Sequence, residues 1–179
     1  MLEIITPRLI LRRWQTEDQQ TFSQINADPR VMEFLPKPLS FDESNSFIER
    51  IETHFEENGF GLWATQLQDS PSLIGFIGLS IPRFQASFTP CVEIGWRLGY
   101  DYWGKGYATE GAKAALEFAF TQLNLPEVLS FTVPKNWRSR RVMERIDMKF
   151  SQEFDHPDLP EGNPLRKHIL YKTTNPHQF

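Results

Sequence analysis

The sequence predicts a mixed α/β fold, and three observations carry that prediction. An aliphatic strand opens the chain, strands of period two separated by turn residues fill its first half, and a glycine turn then enters a long helix of small residues. The opening strand is Arg8-Leu9-Ile10-Leu11-Arg12-Arg13-Trp14, aliphatic at its centre and charged at its end. Thr16, with Gln19 three residues later, has the spacing of a helix N-cap, so a short helix follows with Phe22 and Ile25 turned inward. A second helix starts at Ser40, where Glu43 completes a capping box, and Phe47, Ile48, Ile51 and Phe55 share one face. Gly59 and Gly61 mark its end.

The period then changes. Residues 61–67 and 72–80 are expected as strands joined by Gln68-Asp69-Ser70-Pro71, a composition suited to an antiparallel hairpin. Residues 89–98 form another strand, in which alternation places Glu93, Gly95 and Arg97 opposite Val92, Ile94, Trp96 and Leu98. From Tyr107 to Leu123 the pattern is helical, and Ala108, Ala112, Ala115, Leu116 and Ala119 make a stripe that packs closely on a sheet. Val128–Val133 is a strand bounded by prolines, residues 138–146 a short helix with Val142, Met143 and Ile146 inward, and extended segments at 148–154 and 167–173 close the chain.

The chain has 179 residues, 40% of them hydrophobic and 13% aromatic, enough for one sizeable core without disulfide or metal staples. No linker composition divides it, so residues 1–179 are expected to form a single domain. A net charge of −4 argues against a dedicated nucleic-acid binder, whose affinity rests on neutralising phosphates. No run approaches the roughly 18 apolar residues of a membrane span, and no signal-peptide pattern opens the sequence, so a cytoplasmic protein without membrane contact is expected. The single Cys91 excludes an intrachain disulfide and is expected as a small hydrophobe in a strand. No compact His, Cys and carboxylate spacing calls for a metal. Trp14, Phe34, Trp63, Phe84 and Trp103 are assigned first to core or loop packing and then to shaping a pocket.

The richest stretch runs from Glu93 to Glu110, where a strand leads through Gly104-Lys105-Gly106 into the long helix. That arrangement lets backbone N–H groups approach a phosphate, although a purely structural turn has the same local pattern. Gly99 to Lys105 matches the start of a Walker A loop, but Gly106 stands where Ser or Thr would hold magnesium. A dinucleotide fingerprint beginning at Gly104 fails at Thr109, the place of its third glycine.

Three segments together resemble the GNAT superfamily of N-acetyltransferases, and within it the ribosomal-protein N-terminal acetyltransferases (the RimJ/RimL-like branch). They are Thr6-Pro7-Arg8-Leu9-Ile10-Leu11-Arg12, the loop Gly104-Lys105-Gly106-Tyr107-Ala108-Thr109-Glu110, and the later Asn136-Trp137-Arg138-Ser139-Arg140-Arg141-Val142-Met143-Glu144. The resemblance implies a GNAT-like domain with a mixed, centrally splayed sheet flanked by helices, taking acetyl-coenzyme A as co-substrate without a metal. It implies that Ile94, Trp96 and Leu98 lie along the pantetheine arm, and that backbone around Trp103, Gly104, Lys105, Gly106, Tyr107 and Ala108 holds the pyrophosphate. Asn136 and Ser139 then contact or order the pantetheine wall, and Arg138, Arg140 and Arg141 form a basic patch toward adenosine phosphates. Homodimerisation is implied by the same likeness. Two departures stand out: Asp147 replaces a late glycine, and Met143 occupies the place where some relatives carry a tyrosine thiol acid.

The expected reaction is direct acetyl transfer to a primary amine, either a peptide N-terminus or a small molecule. An ammonium must lose a proton first, and Glu93, beside the expected cleft, is the candidate base. A strand N–H near residues 94–98 is the candidate oxyanion donor. Ser139 or a water it holds is the candidate thiol acid, and His168, ahead of His156, is a candidate relay or orienting group. Glu110 is expected to order the glycine loop. A polyamine acceptor predicts several separated carboxylates and an aminoglycoside a broad acidic cleft, whereas a weakly catalytic acetyl-coenzyme A sensor needs only the cradle and Asn136.

Overall fold

The computed structural model describes residues 3–177. One eight-stranded sheet runs in the order β1-β2-β3-β4-β5-β6-β8-β7, with β1 at Ile4–Ile5, β2 at Leu9–Arg12, β3 at Leu62–Leu67, β4 at Leu73–Ser80, β5 at Glu93–Leu98, β6 at Glu127–Thr132, β7 at Lys149–Asp155 and β8 at Lys167–Thr174. Every neighbouring pair is antiparallel except β5 and β6, which are parallel. The helices are α1 at Asp18–Ala27, α2 at Phe41–Asn58, α3 at Tyr107–Thr121 and α4 at Trp137–Arg145. The expected mixed α/β architecture with an open, splayed sheet is the one observed.

Local chemistry explains most boundaries. Ser40 Oγ accepts from the Glu43 N–H at 3.2 Å while the Ser40 N–H donates to Glu43 Oε2 at 2.8 Å, so the capping box closes as expected. Gly59, at φ 76°, ends α2 in the left-handed region that a side chain resists. The five residues 68–72 turn β3 into β4.

The first helix departs from expectation at its start. Thr16 does not cap it; the helix begins at Asp18, after Glu17, with no side-chain cap. Asp18 is drawn inward instead, where its carboxylate takes two hydrogen bonds from Arg12, at 2.7 and 2.8 Å, and one from the Gln15 N–H at 2.9 Å. A buried bidentate ion pair outweighs a single capping bond. Phe22 and Ile25 do face the core.

β5 is also shorter than expected. Thr89 closes a turn on Ala86, and Pro90 has no N–H for a ladder, so pairing begins only at Glu93. Cys91 therefore lies in the preceding loop, half-buried, where burial pushes its thiol up to about 11.

The helices on either side of β4 hold the core. Gly111 of α3, which belongs to the small-residue stripe although the alanines alone suggested it, packs so closely that an added Cβ would stand 2.4 Å from Ile77 Cδ1. On the other face Trp14, Phe22, Phe47 and Phe76 form a chain of tilted and edge-on rings. Trp63 is fully buried between Phe55 and Phe118. No helix among the described residues is long and apolar enough to cross a membrane.

The Arg12–Asp18 pair yields the first prediction. Replacing Asp18 with Ala leaves a guanidinium buried without its partner and is expected to cost about 3–5 kcal/mol. Urea unfolding of wild type and D18A measures it, and a loss below about 1 kcal/mol would contradict the role given to the pair.

Candidate active site

Parallel β5 and β6 meet at one rung, Glu93 against Leu129, reinforced by the Leu129 N–H donating to Val92 O at 2.9 Å. Beyond it they part. Ser130 Oγ donates to Ile94 O at 2.9 Å and closes the joined end, while the edge of β5 from Gly95 to Leu98 runs on without a β6 partner. β4 holds the other edge of β5 throughout, and β8 holds β6, so the opening is fixed from both sides. The result is a cleft of about 770 Å³.

At its open end the chain makes the glycine turn. Gly104 at φ 73° and Gly106 at φ 85° take left-handed conformations, and Gly106 sits immediately before α3. The first turn of α3 has N–H groups with no carbonyl one turn behind them, the condition for receiving an anion. Trp103 Nε1 donates to Leu98 O at 2.8 Å and ties the turn to the end of β5. Trp103, Gly104, Gly106, Tyr107 and Ala108 all line the cleft. Lys105 does not; its side chain is exposed.

A latch between distant segments holds this turn. Glu110 Oε1 accepts from Thr6 Oγ1 at 2.6 Å and from the Arg8 N–H at 2.9 Å, and Oε2 accepts from Arg8 Nε at 2.6 Å. Arg8 NH1 donates in turn to Lys105 O at 3.0 Å, and its guanidinium lies 4.7 Å from the Tyr107 ring centre. Partial burial pushes the Glu110 carboxyl upward, but the bonds from Thr6 and Arg8 outweigh it and hold the group below its ordinary value. Glu110 thus orders the loop, as its position suggested, and Arg8 is the partner that sequence reasoning missed.

The opposite wall is built by α4. Asn136 Oδ1 accepts from the Ser139 N–H at 3.2 Å, capping the helix, while its Nδ2 donates to Thr132 Oγ1 at 3.0 Å. Asn136, Ser139 and Arg141 line the cleft. Arg138 stacks on Trp103 at 4.8 Å and approaches Glu33 at 3.7 Å, and Arg140 stacks on Trp137 at 3.9 Å, while Arg141 has no stacking or ionic partner among the described residues. Asp147 adopts φ 62°, so the turn survives the replaced glycine.

The α1–α2 side of the cleft takes its chemistry from alternate residues of β5. Ile94, Trp96 and Leu98 also border the cleft, with Ile94 and Leu98 buried in the core. Glu93 keeps some surface toward the cleft, yet its carboxyl lies deep enough that lost hydration pushes it up to about 8. Arg97 NH1 donates to Asn26 Oδ1 at 2.7 Å and lies 5.4 Å from the ring centres of both Phe47 and Phe76.

The histidines are placed differently. His54 accepts from the Ile81 N–H at Nε2, so its proton sits on Nδ1 and is donated to Phe60 O; it pins α2 to the end of β4. His168 and His156, 5.1 Å apart, belong to an aromatic cluster with Phe84, Phe88, Phe131 and Phe154. Neither lines the cleft. Burial lowers the pKa of both. The structure therefore brings Glu93 and Ser139 to one cleft and sets His168 behind Phe131, which borders it. No group of three His, Cys, Asp or Glu side chains among the described residues is arranged to hold a metal.

Comparison with known proteins agrees with this geometry. Residues 8–149 match the Acetyltransferase (GNAT) domain family. The uncharacterized N-acetyltransferase YnaD of Bacillus subtilis is 31% identical over 163 residues, which cover 90% of this chain and 91% of that protein. The FsC-acetyl coenzyme A-N(2)-transacetylase of Aspergillus fumigatus is 31% identical over 179 residues, 94% of this chain and 74% of that one. A GNAT-family acetyltransferase from Bacillus anthracis superposes with a TM-score of 0.81 at 24% identity, over 97% of this chain and 99% of its own, and shares the fold.

The Glu110 latch makes a pH-dependent prediction. Because its carboxyl is depressed in the folded state, its stabilisation is complete above the ordinary value of 4.5 and is lost as pH falls through the lower folded value. Glu110→Gln should therefore lower the urea midpoint at pH 7, with the difference from wild type shrinking below about pH 4. A difference independent of pH would show that charge is not what the latch uses.

Proposed function

Because the chain belongs to the Acetyltransferase (GNAT) domain family, we propose that its 179 residues act as one N-acetyltransferase domain, moving the acetyl group of acetyl-coenzyme A directly to a primary amine. The observation that carries this reading is the pairing, in one cleft, of an unpartnered β5 edge and glycine turn with a carboxyl raised to about 8. The residues fit the donor. The free edge from Gly95 to Leu98 offers peptide groups to the amides of a pantetheine arm, and backbone at Trp103, Gly104, Lys105, Gly106, Tyr107 and Ala108 suits a pyrophosphate. Asn136 and Ser139 order the opposite wall, and Arg141 is available to a phosphate.

When bound, acetyl-coenzyme A supplies a thioester that an uncharged amine can attack. Glu93, directly or through a water, takes the proton that the ammonium must lose; near neutral pH a carboxyl at about 8 is a stronger base than an ordinary one. A β5 N–H beyond Ile94 has no β6 acceptor and is free to donate to a carbonyl oxygen. Ser139 Oγ, on the α4 wall, offers a proton to the departing thiolate directly or through a water, since Met143 is buried and has none to give. His168, held away from the cleft, supports the acceptor wall. The acceptor is an amine of a peptide N-terminus, as in the ribosomal-protein branch that the opening strand resembles, or of a small molecule; the name of the Aspergillus relative places its own transfer at an N(2) nitrogen.

Met143 favours a second reading, a binding module that holds acetyl-coenzyme A with little turnover. Thiol release from acetyl-coenzyme A, measured with peptide and small amines and confirmed by mass of the adduct, separates the two. Acceptor-dependent release supports transfer; saturable binding without release supports the module; neither sinks both. For Glu93 the expectation is a rising limb of kcat/KM with pH centred near 8 that is absent in Glu93→Gln. The same raised value costs stability as pH climbs from 4.5 through 8, so E93Q should unfold later than wild type at pH 9 and alike near pH 4. An unchanged pH–rate profile would remove Glu93 from the reaction.

A further inference from the structure

The chain is acidic overall, with a net charge of −4, yet its cleft carries one carboxylate, Glu93, among several arginines. The donor accounts for some of them: Arg138, Arg141 and Arg145 come from α4, on the side where phosphates would lie, and Arg30 is engaged by Asp28. Three remain on the side of α2 and β4. Arg97 projects from β5 on the same face as Glu93, Arg50 stands on α2 beside Phe47, and Arg83 follows the end of β4 next to Glu93 in the sheet.

None of these three has a carboxylate partner among the described residues. Arg97 is the most constrained, because Phe47 and Phe76 flank its guanidinium and only one of its N–H groups meets a protein acceptor, Asn26 Oδ1. A guanidinium held among aromatic rings gives up hydration that an anion would replace. Burial lowers its pKa to about 10, which still leaves it charged at neutral pH. A polycationic amine meets the opposite of what it needs here, since a single carboxylate faces it among positive charges.

We propose that the acceptor is a primary amine carrying a carboxylate, the amine directed to Glu93 and the carboxylate to Arg97, with Arg50 and Arg83 drawing it into the cleft. This rests on the acetyltransferase reading and names its substrate class. Glu93 and Arg97 are four residues apart on one strand, roughly 13 Å, so the two groups of the acceptor are separated by several bonds. An ω-amino acid and a peptide N-terminus with an acidic residue nearby present the same chemistry.

The test compares 4-aminobutanoate and 6-aminohexanoate with alkylamines of equal length, the C-terminally amidated peptide Ser-Glu-Glu with Ser-Gln-Gln and Ser-Lys-Lys amidated in the same way, and includes spermidine. The expected result is a preference of roughly tenfold to a hundredfold in kcat/KM for carboxylate-bearing acceptors, the scale of a charged hydrogen bond. The amino-acid and peptide arms show which source is used. In Arg97→Gln the preference collapses, in Arg97→Lys it partly returns, and Arg50→Gln with Arg83→Gln, both exposed positions, reduces it mainly through KM. Preference for neutral or polycationic amines, or a preference untouched by all these variants, overturns the proposal. Should no acceptor turn over, equilibrium binding of 6-aminohexanoate decides it: saturable binding that weakens with salt and in R97Q upholds the carboxylate site though transfer fails, and no binding rejects it.

Discussion

The single rung between Glu93 and Leu129 is the constraint on which the site depends. Two parallel strands that stayed paired would consume each other's peptide groups and leave no room between them. Here β5 is held by β4 along its whole length and β6 by β8, and past that rung their facing edges stay unpaired. The cost of an open strand edge is met by making it short and by sealing the joined end with Ser130. The cleft is thus a product of sheet topology, and the glycine turn, the α4 cap and the α1–α2 pair are fixed around it.

Electrostatics in the cleft follow from that geometry. Glu93 is raised because the sheet and its neighbours remove water from it while no cation compensates. Arg97, four residues on, loses water in the same way and is held by an amide and two rings rather than by an acid. Keeping these two ionisable groups apart on one strand leaves each available to a ligand. Had they paired, each would be occupied by the other and closed to a ligand.

The remote elements act through positioning. Arg8 and Glu110 bring the first strand turn onto the glycine loop, so a segment near the N-terminus sets the shape of a loop about a hundred residues later. Phe131, Phe154, His156 and His168 pack the β7–β8 hairpin against the cleft edge; in that cluster a histidine serves as a ring with one polar atom, His168 Nδ1, placed 3.1 Å from Arg166 O.

The sequence by itself determined what depends on neighbours a few residues away. The Ser40 capping box, the Gly59 stop, the hairpin turn and the glycine turn into α3 were all legible, because backbone sterics and short-range hydrogen bonds decide them. Alternation along β5 also placed Glu93 and Arg97 on one face. Tertiary structure alone decided the parting of β5 from β6, the capture of Asp18 by Arg12 in place of a Thr16 cap, the Arg8 latch, the seclusion of His168 and the convergence of Arg50, Arg83 and Arg97. Those features depend on how separate segments pack together, and the charge state of a side chain is set by the water its spatial neighbours remove, which no local pattern encodes.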